Sequence, residues 1–286
     1  MDLKTLQALY GLKWNPFAPE VPVEGLLVTS AIDQFCFRVE NLALDGGFAL
    51  LAGEPGTGKS AHFRLLAERL GKIPELVVAE FERPQGGVTD FYRELGSLFG
   101  IPLTGNNRWG GFKSLRAKFK GHIETTLLRP VILVDEAQLI CDAVLEELRI
   151  LSSTRFDSCI ILTVVLGGDM RLCQRLERSA DLKPMDSRLR VRRILGLKSH
   201  EELLATLRHL VAVAGNPALL TDGLSRTLVE HAGGNLRTLM LSAQEVLAAG
   251  AAKNAKRLDE ALYLELTGAE LARPRVKVAA AKPVRR

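Results

Sequence analysis

An apolar run, Gly47-Phe48-Ala49-Leu50-Leu51-Ala52, leads directly into Gly53-Glu54-Pro55-Gly56-Thr57-Gly58-Lys59-Ser60, and a helical pattern leaves that octet over residues 61–70. The eight residues fit G-x-x-x-x-G-K-[ST], where glycines let the backbone curl until successive N–H groups converge on phosphate oxygens. The helix that follows adds the partial positive charge of its N-terminus. Gly53, Glu54, Pro55, Gly56, Thr57, Gly58, Lys59, Ser60 and Ala61 are therefore the candidate nucleotide contacts. Lys59 would reach the β- and γ-phosphates, and Ser60 would hold Mg²⁺. A glycine-rich turn that merely contains Lys-Ser is the plainer reading, and the flanking strand and helix argue against it.

A second stretch, Val131-Ile132-Leu133-Val134-Asp135-Glu136, completes the chemistry. Its continuous aliphatic run, mostly β-branched, suits a strand buried on both faces of a parallel sheet, ending in two carboxylates where such sheets present ligands. Asp135 lies 76 positions after Lys59, which leaves room for intervening strand and helix units. Asp135 would bind Mg²⁺, directly or through water, and Glu136 would polarise the water that attacks the γ-phosphate.

Charge is distributed unevenly. Residues 1–170 carry 17 Lys/Arg against 21 Asp/Glu, whereas residues 171–286 carry 21 against 12. A basic C-terminal part suggests a polyanionic partner, nucleic acid first and an anionic membrane surface second. Cys36, Cys141, Cys159 and Cys173 are scattered without C-x-x-C spacing, so neither a zinc site nor a disulfide framework follows, and a reducing cytoplasm fits. The longest apolar run, residues 159–166, is far short of the roughly 20 residues that span a bilayer. A cytoplasmic protein with no membrane partner is expected.

In chain order, Pro16, Pro19 and Pro22 make residues 1–27 read as an extended segment laid over the core, and residues 31–44 as a helix. Residues 75–81 read as a strand and 88–99 as an amphipathic helix. Between Glu94 and Glu124 there is no acid, while Arg108, Lys113, Arg116, Lys118 and Lys120 are interleaved with Trp109, Phe112 and Phe119. Two readings stand: an ordinary amphipathic helix with solvated lysines, or a contact loop whose cations neutralise phosphates and whose aromatics stack. The Gly110-Gly111 pair favours the loop. Residues 159–166 read as one buried strand, 170–178 as a helix and 185–194 as an edge strand. From residue 197 the periodicity is helical, and residues 273–286 hold six basic side chains and no acid.

Together these features resemble an AAA+ ATPase, and within that superfamily the ExeA-like branch, whose relatives include the transposition ATPases TniB, TnsC and MuB. Four motifs carry the resemblance: Tyr10-Gly11-Leu12 with Asn15-Pro16-Phe17, the octet at 53–60, Asp135-Glu136-Ala137-Gln138, and Gly233-Gly234-Asn235-Leu236-Arg237. It implies an α/β P-loop fold, a three-layer sandwich with a parallel five-stranded sheet, followed by a small all-helical lid. The implied domains are an N-terminal segment (1–27), a nucleotide-binding domain (28–196), the lid (197–268) and a basic disordered tail (269–286). ATP and Mg²⁺ are the implied cofactors. Arg188 matches the arginine finger offered to a neighbouring subunit, with Arg190, Arg192 and Arg193 as rivals, and Arg237 matches the sensor arginine of the lid. The family places a polar first-sensor residue after the fourth strand. Gly167-Gly168 stands there instead, leaving Asp169, Thr163 or Ser153 as substitutes, so hydrolysis is expected to be slow or partner-dependent.

The function implied is an ATPase that assembles, as a ring or filament of identical subunits, on double-stranded DNA and recruits or activates a transposase. The alternative is an ATPase of secretion-machinery assembly, which would call for a membrane helix and a cell-wall module beyond the lid. A nucleotide-binding switch with negligible turnover is the third.

Overall fold

The computed structural model describes residues 3–81, 86–101, 108–156 and 158–271, with residues 269–271 described by backbone alone. They form two compact units. Residues 22–199 with Asn235–Arg237 make an α/β unit; the described residues before 22, those of 200–234 and those from 238 on make a helical one.

The chain opens with α1 (Leu3–Tyr10), and α2 (Ser30–Asp45) begins where Thr29 Oγ1 accepts from the Ile32 N–H at 3.3 Å. Then β1 (Gly47–Gly53), α3 (Lys59–Gly71), β2 (Leu76–Phe81), α4 (Val88–Leu98), α5 (Arg108–Gly121) and β3 (Arg129–Val134) follow. Next come α6 (Asp142–Leu151), the short β4 (Ser153–Thr154) and β5 (Cys159–Ile160), β6 (Thr163–Gly168), α7 (Met170–Arg178), α8 (Lys183–Asp186) and β7 (Leu189–Leu195). Five strands pair in the order β2-β3-β6-β1-β7, every neighbour parallel. Every residue of β1 is buried. Its alternate side chains feed two cores: Phe48, Leu50 and Ala52 face α4 to α8, whereas Ala49 and Leu51 face α2 and α3. The expected three-layer α/β sandwich with five parallel strands is the fold observed.

Three stretches differ from their sequence reading. The apolar run at 159–166 is not one strand: Cys159 and Ile160 pair antiparallel with β4, and the chain turns before β6 starts opposite Gly47. Hydrophobicity persists through the turn because Ile161 and Leu162 are themselves core residues. Residues from Arg108 on form a helix rather than a contact loop, with Gly111, Leu115 and Phe119 on its buried side; Asn106 and Asn107 lie outside the described residues. The N-terminal segment is partly helical, and up to Val21 it groups with the helical unit. There the Lys13 N–H donates to Ala214 O at 2.8 Å and Asn216 Nδ2 to Tyr10 O at 2.9 Å, while Tyr10, Leu12 and Phe17 are buried.

The helical unit continues with α9 (His200–Val213), α10 (Asp222–Ala232), α11 (Leu236–Ala252) and α12 (Glu260–Leu271). Thr221 Oγ1 caps α10 by accepting from the Leu224 N–H at 3.1 Å. The basic stretch from 272 to the C-terminus lies outside the described residues. Among the described residues, no helix is long and apolar enough to cross a membrane.

Candidate functional site

All five strands run the same way, so Gly53, Phe81, Val134, Gly168 and Leu195 end together on one rim, the rim where parallel sheets offer ligand sites. The octet follows β1 there. Gly56 and Gly58 hold φ of +85° and +99°, a left-handed conformation costly for any residue with a Cβ, and this turns the loop back over the start of α3. Thr57 Oγ1 donates to Glu54 O at 2.8 Å and closes the curl. Lys59, only 8% exposed, donates from Nζ to Gly53 O at 2.8 Å and Glu54 O at 3.2 Å. Beneath the loop, the ring of His62 bonds through Nδ1 to Gly58 O at 2.9 Å. Burial lowers the imidazole below its ordinary range, outweighing that bond, which raises its pKa; Lys198 and Arg193 push the same way as burial.

Asn235, Leu236 and Arg237 belong to the same unit and touch the loop directly. Asn235 Nδ2 donates to Pro55 O at 3.1 Å, and the Leu236 and Arg237 N–H groups both donate to Gly56 O, at 3.0 and 3.3 Å. Within Gly233–Arg237 the family resemblance assigns a role to Arg237 alone; the bracing of the loop by Asn235 shows only in three dimensions. The Arg237 side chain is exposed.

Ser60, Asp135 and Glu136 line one cavity of about 1270 Å³ beside α3 and α4, together with Arg64 and Arg93. A serine hydroxyl and a carboxylate are hard oxygen donors of the kind Mg²⁺ takes while keeping several waters, so the residues present fit that ion. Asp135 Oδ1 accepts from the Glu136 N–H at 2.8 Å. Glu136 itself sits at φ +52° and opens a 3₁₀ turn, Ala137–Leu139, so its carboxylate is turned out of the strand direction.

The arginines of β7 fall in different places. Arg188 precedes Leu189, which pairs with Phe48, whereas Leu195 pairs with Gly53. At roughly 3.3 Å per residue, Arg188 is therefore about 20 Å from its own phosphate loop. Among its rivals, Arg192 is tied to Asp186 at 2.5 Å and to Glu177 at 3.5 Å. Arg190 is exposed, its carbonyl accepting from Arg38 at 3.4 Å. Arg193 lies at the loop end, where it acts on His62.

Of the three substitutes for a first sensor, Thr163 pairs with Gly47 at the far end of the sheet and Ser153 lies in the small hairpin. Only Asp169 stands on the loop rim. Burial pushes its carboxyl up, but hydrogen bonds from the Arg171 side chain and backbone outweigh this and hold it below the usual range.

The basic stretch divides as well. Arg108 is paired with the buried Glu147 of α6, which also accepts from Tyr92 Oη at 2.5 Å. Exposed Trp109 stacks on Phe112, their ring centroids 5.5 Å apart, with Lys113 over the indole at 5.0 Å and Arg116 over Phe112 at 5.3 Å. Lys118 is exposed and Lys120 half-exposed.

Residues 43–176 match the family model described as "AAA domain". This stretch is similar to AAA domains. General secretion pathway protein A of Aeromonas hydrophila is 32% identical over 217 residues, 74% of this chain and 39% of that protein. The chain thus spans about two fifths of this curated relative. Among solved structures, Drosophila ORC bound to DNA aligns over 90% of this chain and 65% of its own, with a TM-score of 0.68 and 17% identity. The Aeropyrum pernix ORC2 protein in ADPNP–ADP complexes gives 0.67 and 15%, covering 89% of this chain and 71% of that one. The Thermotoga maritima RuvB Holliday junction branch migration motor gives 0.56 and 17%, covering 89% and 73%. At these identities the likeness is one of fold.

Proposed function

We propose that this chain binds and hydrolyses ATP, assembles with copies of itself, and acts on double-stranded DNA as a transposition regulator that recruits or activates a transposase. The observation that carries the hydrolytic part is convergence: Ser60 from the start of α3, and Asp135 and Glu136 from the end of β3, reach one cavity beside a loop shaped for phosphates. Lys59 would leave the loop carbonyls for the β- and γ-phosphates, and Glu136 would orient and deprotonate the attacking water. Ser60 and Asp135 would hold Mg²⁺, which when bound supplies charge neutralisation at the phosphates. Arg188, about 20 Å from its own loop by strand rise, fits the site of a neighbouring copy, where a guanidinium stabilises transition-state charge. Arg237 would add a cation beside the loop.

DNA as the partner is supported by the 21-to-12 excess of basic residues after position 170 and by the exposed cations on α5. The test has two arms. Phosphate release from ATP should cease in Glu136→Gln, which should accumulate as an ATP-bound oligomer on size exclusion; a turning-over monomer refutes the hydrolytic reading. In a mobility-shift assay the ATP-loaded protein should bind duplex DNA and release it as salt rises; no salt-sensitive shift refutes the transposition reading. The relationship to General secretion pathway protein A favours a second reading, ATP-driven assembly of secretion machinery. Neighbouring genes discriminate, since a transposase gene supports the first and secretion genes the second.

A further inference from the structure

Glu136 follows a strand but has left-handed backbone geometry, so β-ladder bonding does not aim its carboxylate. Gln138 does. Its Nε2 donates to Glu136 Oε2 at 2.5 Å, and its Oε1 accepts the Asp169 backbone N–H at 3.2 Å. The orientation of this amide is dictated by its partners: a backbone N–H can only donate and an ionised carboxylate can only accept, so the amide has one satisfactory orientation. One side chain thus spans from the Asp-Glu strand to the junction of β6 and α7. The turn that carries it is pinned from α7, where Arg175 donates to Gln138 O and Ile140 O, both at 2.7 Å, and pairs with Asp142.

The glycines at the end of β6 belong to the same arrangement. A Cβ at Gly168 would stand 3.0 Å from Gln138 Oε1 and 2.8 Å from Leu172 Cδ2, and one at Gly167 would stand 2.5 Å from the Phe63 ring. A polar side chain projecting from β6 has no room. The space it would fill is reached by Gln138 from the turn that follows the neighbouring strand.

We propose that Gln138 is the positioning residue of this site, holding the Glu136 carboxylate in register with the β6–α7 junction in place of a sensor side chain on β6. This rests on the reading of Glu136 as the hydrolytic carboxylate. Asp169 caps α7 through the Arg171 N–H at 2.9 Å, so any shift of α7 reaches Glu136 through a single amide.

The test uses the full chain and two variants. Gln138→Met keeps length and bulk but removes both hydrogen bonds; Gln138→Asn keeps the amide but is too short to span both partners. Affinity for ATP is read by titration with a fluorescent analogue, and hydrolysis by single-turnover phosphate release. Both variants should bind ATP within about twofold of wild type while hydrolysis falls about 10- to 100-fold, the scale of losing a supporting hydrogen bond or about 1 Å of alignment. Because Gln138 acts through Glu136, Glu136→Gln combined with Gln138→Met should be no slower than Glu136→Gln alone. A wild-type rate in Gln138→Met, losses that multiply in the double variant, or loss of ATP binding in both variants would overturn the proposal. If Glu136→Gln itself hydrolyses ATP normally, the reading of Glu136 falls and takes this inference with it. If Glu136→Gln is inactive while Gln138→Met is not, the inference alone falls.

Discussion

Gly167→Ala introduces one methyl group at the end of β6, where it meets Phe63 ring carbons at 2.5 and 2.6 Å and Asp135 Oδ1 at 3.2 Å. Carbon atoms pack comfortably at about 3.5–4.0 Å, so the ring must retreat by about 1 Å. Phe63 lies at the start of the second turn of α3 and is buried against the sheet, so its retreat presses on the helix that begins at Lys59. Two effects of opposite sign compete. Replacing glycine by alanine gains about 0.4–1 kcal/mol by restricting the unfolded chain, whereas overpacking costs about 1–3 kcal/mol. Overpacking wins, with a net loss of about 1–2 kcal/mol. At about 2–4 °C per kcal/mol for a unit of this size, the transition of the α/β unit should fall by about 2–8 °C in a thermal melt followed by circular dichroism. Magnesium-dependent ATP affinity should weaken in parallel, because the same methyl group presses on Asp135 and, through α3, on Ser60. Shortening the ring relieves the clash, so Gly167→Ala with Phe63→Leu should lose less than the two single losses added, by about 0.5–3 kcal/mol. A wild-type melting temperature for Gly167→Ala, or strict additivity in the pair, would show that Phe63 does not enforce glycine at this position.

Arg188→Ala should abolish turnover while leaving ATP affinity nearly intact, measured by phosphate release beside analogue titration; loss of binding instead would place Arg188 in its own subunit's site. Tyr92→Phe removes the 2.5 Å bond to the buried Glu147 carboxylate and should cost about 1.5–3 kcal/mol, read as a lower urea midpoint at unchanged slope. An unchanged midpoint would mean that Arg108 alone satisfies Glu147. For His62, burial favours the neutral ring and lowers its pKa, so its contribution to stability is full above its unfolded value of about 6.5 and is lost as pH falls from there through the lower folded value. His62→Gln can still donate to Gly58 O without titrating, and should show a shallower loss of melting temperature between about pH 7 and 5; parallel curves for the two proteins would refute it.

What the sequence revealed about the site is what the backbone alone determines. The curl at 53–60 needs glycines at fixed intervals and a lysine in step with them, and the buried strand before Asp135 needs an unbroken aliphatic run, so both are written contiguously. The stretch at 108–120 shows the opposite case. Its glycine pair resembles a loop, but Gly111 is a packing position, where a Cβ would come within 3.2 Å of the Tyr92 ring. The buried set Gly111, Leu115 and Phe119 has regular four-residue spacing, hidden because its first member is the smallest residue and the bulky Trp109 faces outward. Glu147, which holds Arg108, lies 39 positions away on another helix, and no local pattern distinguishes a buried glutamate from a solvated one.

Gln138 lies between these cases. Its place in Asp135-Glu136-Ala137-Gln138 is plain, and its bond to Glu136 is local enough to suspect, but its second partner is a backbone N–H 31 positions later. A backbone donor leaves no mark in residue identity. The only trace of that contact in the sequence is negative: Gly167-Gly168 where a polar side chain would ordinarily stand. Two glycines at the end of β6 read as a missing polar group until the turn after the neighbouring strand is seen to need the space. The deficiency on β6 and the amide on the Asp-Glu turn are thus one feature. A polar residue introduced at Gly168 should displace Gln138 rather than supplement it.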